Sequence, residues 1–295
     1  MTQAKKQLAV LFASLLSLSP AIAAADSDSF VVDCSQGQSI AEGLAKKHPD
    51  RPLTVVIRGS CMEGVVITRD DLSLIGDGGS IRGSVTVDGA RRAVIAHLAI
   101  TNPAGDGITV TNGGSATIRN NHVDDNSGYG LFLRNASFAV VDNNTFLRNG
   151  AGDIPNLDAS GIGVALGSMV RASGNQMSGN RNAGVEVFDN STYRSVGDTI
   201  VGGGRSAVDT FRNGYVDLRD VTVTGQVFVN QQSQLQARNV EKVSSFAGNI
   251  SVSQLSFLRL RAGVNGAAST LRCVSASYAL CQCDAGERCP VVLQP

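Results

Sequence analysis

Between residues 108 and 207 the apolar positions fall into columns. Alternating apolar pairs recur at Ile108/Val110, Leu131/Leu133, Ile162/Val164 and Val185/Val187. Alternation of period two buries one face of a strand. The starts at 108 and 131 differ by 23 residues, as do those at 162 and 185, and the step from 131 to 162 is 31, one period plus an eight-residue insertion. Each line carries a second short strand (Ala116/Ile118, Ala139/Val141, Val170/Ala172). A third follows an Asn or Asp: Asn121/Val123, Asn144/Phe146, Asn175/Met177, Asp198/Ile200. A fixed period in the twenties predicts a solenoid. So thin a unit cannot bury its own apolar face, so units stack, like residue on like. Asn121, Asn144 and Asn175 are then expected to form an internal ladder of side-chain amides that satisfies buried backbone groups at a bend. Gly, Asn, Asp and Ser fill the corners.

With Asn120–Asn121 and Asn143–Asn144 as paired asparagines, the pattern resembles the right-handed parallel β-helix repeat. Pectate-lyase-like enzymes, polysaccharide epimerases and many bacterial exported proteins share that repeat. The resemblance covers residues 53–271 and implies an all-β solenoid. Flanking it, residues 26–52 read as an N-terminal cap and residues 272–295 as a Cys-rich C-terminal cap. In the first, a strand from Phe30 precedes a short helix over residues 39–48, with Ser39 as N-cap, Glu42 as its capping-box partner and Ile40/Leu44 on one face. In the stack, Leu53/Ile57, Val65/Ile67 and Leu72/Ile75 read as the three strands of the first coil. Leu98 stands where the next coil has Asn121, which puts His97 level with Asn120 and marks it as a bend residue. Beyond residue 208 the coils shorten and the ladder fades, with Asp220 and Asn239 as weaker echoes. Gly76–Gly79 is a turn, because no phosphate-loop context accompanies it.

Residues 1–25 read as a secretory signal: Lys5 and Lys6 precede an apolar run over residues 8–18, and Ala21-Ile22-Ala23 is a small-x-small cleavage motif near Ala23–Ala25. The run is too short to span a bilayer, so a secreted or periplasmic protein without membrane insertion is expected. Removing the signal leaves 23 basic against 25 acidic residues. Along the sequence the basic residues are not clustered, which argues against a nucleic-acid partner. Six cysteines in an exported chain fit disulfides. Cys34 and Cys61 flank the first coil and are expected to pair. Cys273, Cys281, Cys283 and Cys289 cluster at the far end, where two bridges or a four-thiol metal site are the alternatives; export favours bridges. Open sheet edges give such stapled ends a purpose.

The candidate chemistry gathers near the insertion, residues 150–161. Insertions in repeats mark loops on one face, often the binding face. The outward neighbours Gly163 and Ala165 leave room beside the strand. Adjacent coils place Phe132 and Arg134, Glu186 and Phe188, Asp209 and Phe211, then Phe228 and Asn230 at the same two positions. Glu186 and Asp209 are expected to stack one coil apart. His122 points outward, and Asp124-Asp125-Asn126 reads either as an Asx-rich turn or as an acid site. The family resemblance implies a cleft lined by carboxylates, often with calcium, and a basic group that takes the proton α to a uronate carboxyl. On that basis Asp153 and Asp158 are candidate calcium ligands. Glu186 and Asp209 are catalytic carboxylates, and Arg134 or Arg212 is base or clamp. Tyr129, with Phe132, Phe188 and Phe211, contacts substrate. The chain departs from the family's motifs. It has no Arg-x-Pro-x-x-Arg of pectate lyases, none of the polygalacturonase set Asn-Thr-Asp, Gly-His-Gly and Arg-Ile-Lys, and no Asp-Pro-His-Asp of alginate epimerases. Two readings stand: a lyase or epimerase type of enzyme on an anionic polysaccharide or surface glycan, and a non-catalytic module docking a carbohydrate or protein partner through the Phe row.

Overall fold

The computed structural model describes residues 28–45, 51–150, 159–239 and 245–260, and the backbone of three later strands, Leu271–Val274, Leu280–Cys283 and Val291–Gln294. The chain winds as a solenoid of three parallel sheets. The first has 12 strands, the second nine and the third 11. One coil shows the order: Ser115–Arg119 lies in the first sheet, His122–Asp124 in the second and Leu131–Leu133 in the third. The register is the one the period demands. Ile108 pairs with Leu131, Leu131 with Ile162, Ile162 with Val185 and Val185 with Val208, so the eight extra residues are absorbed without a slip. Inward columns of Ile, Val and Leu are buried along the whole stack.

The corner between the first and second sheets turns on one residue. His97, Asn120, Asn143 and Asp220 have φ of 58°, 55°, 54° and 53°, with Gly174 and Gly197 at the same level. Asn and Asp tolerate this left-handed conformation by bonding locally; His97 is there to make a bend, as expected. The ladder lies just inside it. Asn121 donates through Nδ2 to Asn144 Oδ1 (3.0 Å), Asn144 to Asn175 Oδ1 (3.1 Å) and Asn175 to Asp198 Oδ1 (3.0 Å). Each amide also caps a carbonyl of the preceding coil, as Asn144 does that of Ile118 at 2.9 Å. Leu98 enters with its backbone N–H alone, donated to Asn121 Oδ1. At the other end Asp198 is an acceptor only, and its second oxygen takes the Tyr193 hydroxyl at 2.6 Å. Burial pushes the Asp198 carboxyl up, against these donors. Asp220 belongs to the corner and Val221 holds the ladder level, so neither Asp220 nor Asn239, which follows Asp220 in that column, is a rung.

A second asparagine ladder runs beside the first. Asn126 donates to Asn149 Oδ1 (2.6 Å) and Asn149 to Asn180 Oδ1 (3.0 Å), all three buried. A serine ladder holds the third corner: Ser137 N donates to Ser168 Oγ, Ser168 N to Ser191 Oγ, and Ser233 N to Ser256 Oγ. Asp124 and Asp125 are held at the corner by ion pairs, as the turn reading expects. The Arg148 guanidinium bridges both at 2.8 Å, and His122 Nε2 lies 3.2 Å from Asp124.

Three expectations at the ends change. The described part of the expected helix is Ile40–Ala45. Its capping carboxylate is Glu63, from the neighbouring coil, and not Glu42. Glu63 accepts from Ile40 N (2.6 Å) and from the Ser39 hydroxyl (3.0 Å). A two-residue strand, Ser60–Cys61, supplies the second sheet in the first coil, which moves Leu72–Gly76 to the next coil. The described strands of the expected C-terminal cap continue the stack. Leu271–Val274 and Val291–Gln294 extend the third sheet and Leu280–Cys283 the first. The side chains of Cys273, Cys281 and Cys283, and all of Cys289, lie outside the described residues, as do the signal segment and the end of the expected helix.

Cys34 and Cys61 form the expected disulfide, 27 residues apart, tying the entering strand to the first coil. Closing a loop of that length stabilises by about 3 kcal/mol on chain-entropy grounds. A Cys34→Ser/Cys61→Ser variant should therefore lose about that much against the wild type in urea denaturation at neutral pH without reductant.

Candidate active site

The third sheet presents the expected outward row, and its chemistry concentrates on Glu186 and Asp209. These residues are register partners in adjacent strands, Ala183–Val187 and Ser206–Thr210. Their Cα atoms are therefore separated by one strand spacing, about 5 Å. Both are buried, at 5% and 1% exposure. Glu186 Oε2 accepts from the Tyr129 hydroxyl at 2.8 Å and from the Ser160 hydroxyl at 3.2 Å. Burial pushes its carboxyl up to about 7, and the neighbouring Asp209 charge adds to the rise; Tyr129, Ser160 and the more distant Arg205 oppose it. Asp209 is raised by burial and pulled down by Arg205, whose Nη2 lies 3.6 Å away. Among the described residues neither Asp209 oxygen has a hydrogen-bond partner.

The room beside Gly163 is filled from within. The Tyr129 ring stacks on Phe132 at 4.6 Å and lies over the glycine. A Cβ at 163 would come within 2.6 Å of the Tyr129 ring, so glycine is what lets Tyr129 reach Glu186. Gly163→Ala should displace that ring. Because the Tyr129 hydrogen bond lowers the Glu186 pKa, the Glu186 titration midpoint should then rise above the wild-type value, as read by NMR of its carboxyl carbon. Tyr129 is fixed from behind as well. Its N–H donates to Asp106 Oδ1 at 2.8 Å, and burial raises the Asp106 carboxyl.

Asp209 opens onto a polar groove of about 410 Å³ shared with Arg205, Phe211, Arg212, Asn230 and Ser253. Arg212 is bound to both oxygens of Asp189 (2.6 and 3.2 Å) and lies over the stacked pair Phe188 and Phe211. Held this way it is a fixed cation, suited to gripping a carboxylate and not to accepting a proton. Arg134 lies 5.6 Å over Phe132, and Arg205 the same distance over Phe228. The four phenylalanines are half-buried and each lies under a guanidinium.

The structure thus unites Tyr129, Glu186 and Asp209 at the centre, brings Phe211 and Arg212 into the groove, and leaves Phe132, Arg134 and Phe188 on the flanks. Asp106, Ser160 and Arg205 were absent from the sequence reading. Their signal was positional: Asp106 is one period before Tyr129, Ser160 is 31 after it, and Arg205 is four before Asp209. Asp153 and Asp158, the expected calcium ligands, lie outside the described residues. Among the described residues no group of three or more metal-binding side chains occurs. The described carboxylates at this face meet hydroxyl donors and a guanidinium, a donor set that does not fit a divalent cation.

Three parallel sheets, a turn-by-turn amide ladder and an outward face bearing acids define a parallel β-solenoid. The chain belongs to the right-handed β-helix family, whose model for the right handed beta helix region matches residues 55–228. Among solved structures it is similar to the crystal structure of pectate lyase Pel9A, with 13% identity, a TM-score of 0.52 and coverage of 91% of this chain and 80% of that one. That likeness shows the fold alone. No curated protein matches. Among the described residues no helix is long and apolar enough to cross a membrane.

Proposed function

We propose that this is an exported enzyme of lyase or epimerase type acting on an anionic polysaccharide at the outer face of the third sheet. The observation that carries the reading is Glu186. A buried carboxyl titrating near neutrality, beside a second carboxylate with no hydrogen-bond partner at a groove wall, is suited to proton transfer. In this reading Arg205 and Arg212 hold a uronate carboxylate, and Arg212 is clamp and not base. Asp209, whose carboxyl burial raises and Arg205 pulls back down, takes the proton α to that carboxylate. The electron pair left behind forms the new C=C bond as the glycosidic C–O bond breaks, and neutral Glu186 gives its proton to the departing oxygen. Tyr129 holds Glu186 in place. Return of a proton to the opposite face of the same carbon would instead give epimerisation. Export rests on the residue 1–25 pattern, and calcium at Asp153 and Asp158 is part of the same reading without a step of its own.

The alternative, docking of a partner through the Phe row, has less support because the rings are stacked on one another and covered by arginines. Proton NMR of the mature protein incubated with anionic and neutral polysaccharides tests the choice. New olefinic or anomeric signals with an acidic polymer alone are expected. Unchanged spectra across the panel would remove the enzyme reading and leave the docking one.

A further inference from the structure

The outer face of the first sheet carries an arrangement that the sequence hides. Five successive coils each place one arginine on it. Arg171 lies in Met169–Ser173, Arg194 in Thr192–Val196 and Arg219 in Tyr215–Arg219. Arg238 lies in Gln234–Arg238 and Arg259 in Phe257–Leu260. Arg171 stacks directly on Arg194, and Arg219 on Arg238. From Ser115 to Leu260 the acids at outward positions of this sheet are Asp142 and Asp217. Asp142 is one coil from Arg119. Asp217 is buried and held by Arg219 at 2.7 Å and Arg238 at 3.7 Å. Arg171 and Arg194 are exposed, and among the described residues neither has a carboxylate within ion-pair distance. Arg171 lies 5.7 Å over Phe138 and Arg194 6.0 Å over Tyr215. Like charges at directly paired positions of a sheet disfavour folding. Asp217, the other register partner of Arg194 and the ion-pair partner of Arg219 and Arg238, offsets part of that cost.

We infer that this face is a binding strip for an acidic polysaccharide chain lying along the solenoid axis, separate from the third-sheet groove. Coils repeat about every 5 Å, so the strip carries one arginine per step over five steps, with Asp217 shared between Arg219 and Arg238 as its one facing acid. An extended acidic glycan carries one charge per sugar at a comparable spacing, and a rigid sheet face keeps the two in phase. The guanidinium fork bonds carboxylate or sulfate oxygens in pairs. Single-stranded nucleic acid fits less well, because it needs open aromatic faces to stack on and Phe138 and Tyr215 are already under arginines. A bilayer fits less well, because interfacial binding needs an apolar face to bury. The inference does not depend on catalysis at the third sheet.

The test is affinity electrophoresis and titration of the whole mature protein against polygalacturonate, dextran sulfate, neutral dextran and oligo-dT. The proteins compared are wild type, Arg171→Ser/Arg194→Ser and Glu186→Gln. Polygalacturonate or dextran sulfate should bind in a salt-sensitive way, and the one that binds more tightly identifies the charged group. The double arginine variant should bind at least tenfold more weakly with a melting temperature no lower than that of the wild type, while Glu186→Gln retains binding. Binding of the double variant equal to wild type overturns the inference. So does equal retention on neutral dextran, and so does tighter binding of oligo-dT than of either acidic glycan. Loss of turnover in Glu186→Gln with binding to the strip intact separates the two faces.

Discussion

Replacing Glu186 by Gln is expected to lower polysaccharide turnover by about 10²–10⁴-fold, the usual contribution of a positioned acid or base. Gln keeps the shape and can still accept from Tyr129 and Ser160 through its carbonyl, so the fold should survive. The substitution also removes a pH dependence of stability. Burial holds the Glu186 carboxyl near 7 in the folded chain, against 4.5 for the free group. A carboxyl raised by folding favours the folded state while it is neutral. Its contribution is complete below about pH 4.5 and is lost as pH climbs through about 7, a change of about 3 kcal/mol. The urea midpoint of the wild type should fall across that window. Asp106, Asp198 and Asp209 are also raised and act in the same direction. In Glu186→Gln the upper part of the fall, between about pH 5 and 7, should be missing. Full activity in the variant, or an unaltered pH slope, would end the assignment.

Replacing Asn144 by Leu should cost about 3–5 kcal/mol, the range for breaking a buried hydrogen-bond network. Asn144 Oδ1 accepts from the backbone N–H of Asn121 at 2.9 Å and from its side-chain amide at 3.0 Å. Its own amide covers the Ile118 carbonyl at 2.9 Å. The Asn121 N–H and the Ile118 carbonyl would lose these buried partners, while the Asn121 amide keeps its bond to the Ile95 carbonyl at 2.9 Å. The neighbouring Asn143, which sits at the left-handed corner with φ 54°, is the control. Asn143→Gly meets the same backbone demand, and its change should stay within about 0.5 kcal/mol. Equal losses in the two variants, read by urea denaturation, would mean that the ladder contributes no more than the turn.

The columns were legible because repetition makes each coil a test of the next. Asn121, Asn144 and Asn175 could be placed at one level from spacing alone, and so could Glu186 beside Asp209. The second ladder followed the same rule, since Asn126, Asn149 and Asn180 each stand five residues after a rung of the first. Its first member was obscured by Asp124 and Asp125, which make the segment resemble a solvated turn. Glu63 as the helix cap was not legible, because the capping group comes from another coil and no local pattern announces it. The absence of basic clusters along the sequence likewise concealed the arginines of the first sheet. Residues 19 to 25 apart become neighbours only when the coil closes. The third-sheet acids were found, but their burial was not, because the Tyr129 ring returns over Gly163 from the preceding coil.

The main asparagine ladder also has a direction. Every rung donates towards the C-terminus, and its acceptor belongs to a coil that does not yet exist when the rung is made. A chain threaded from its N-terminus therefore carries, at its growing end, amide donors that only the next coil can quench. Each arriving coil locks the one before it, and backward slippage would expose donors again. At Asp198 the side-chain ladder ends, because its carboxyl takes Asn175 and Tyr193 and the next coil has Val221 at that level. Beyond it successive coils are held by the backbone sheets, as where Thr222 N–H donates to the Asp198 carbonyl at 3.0 Å.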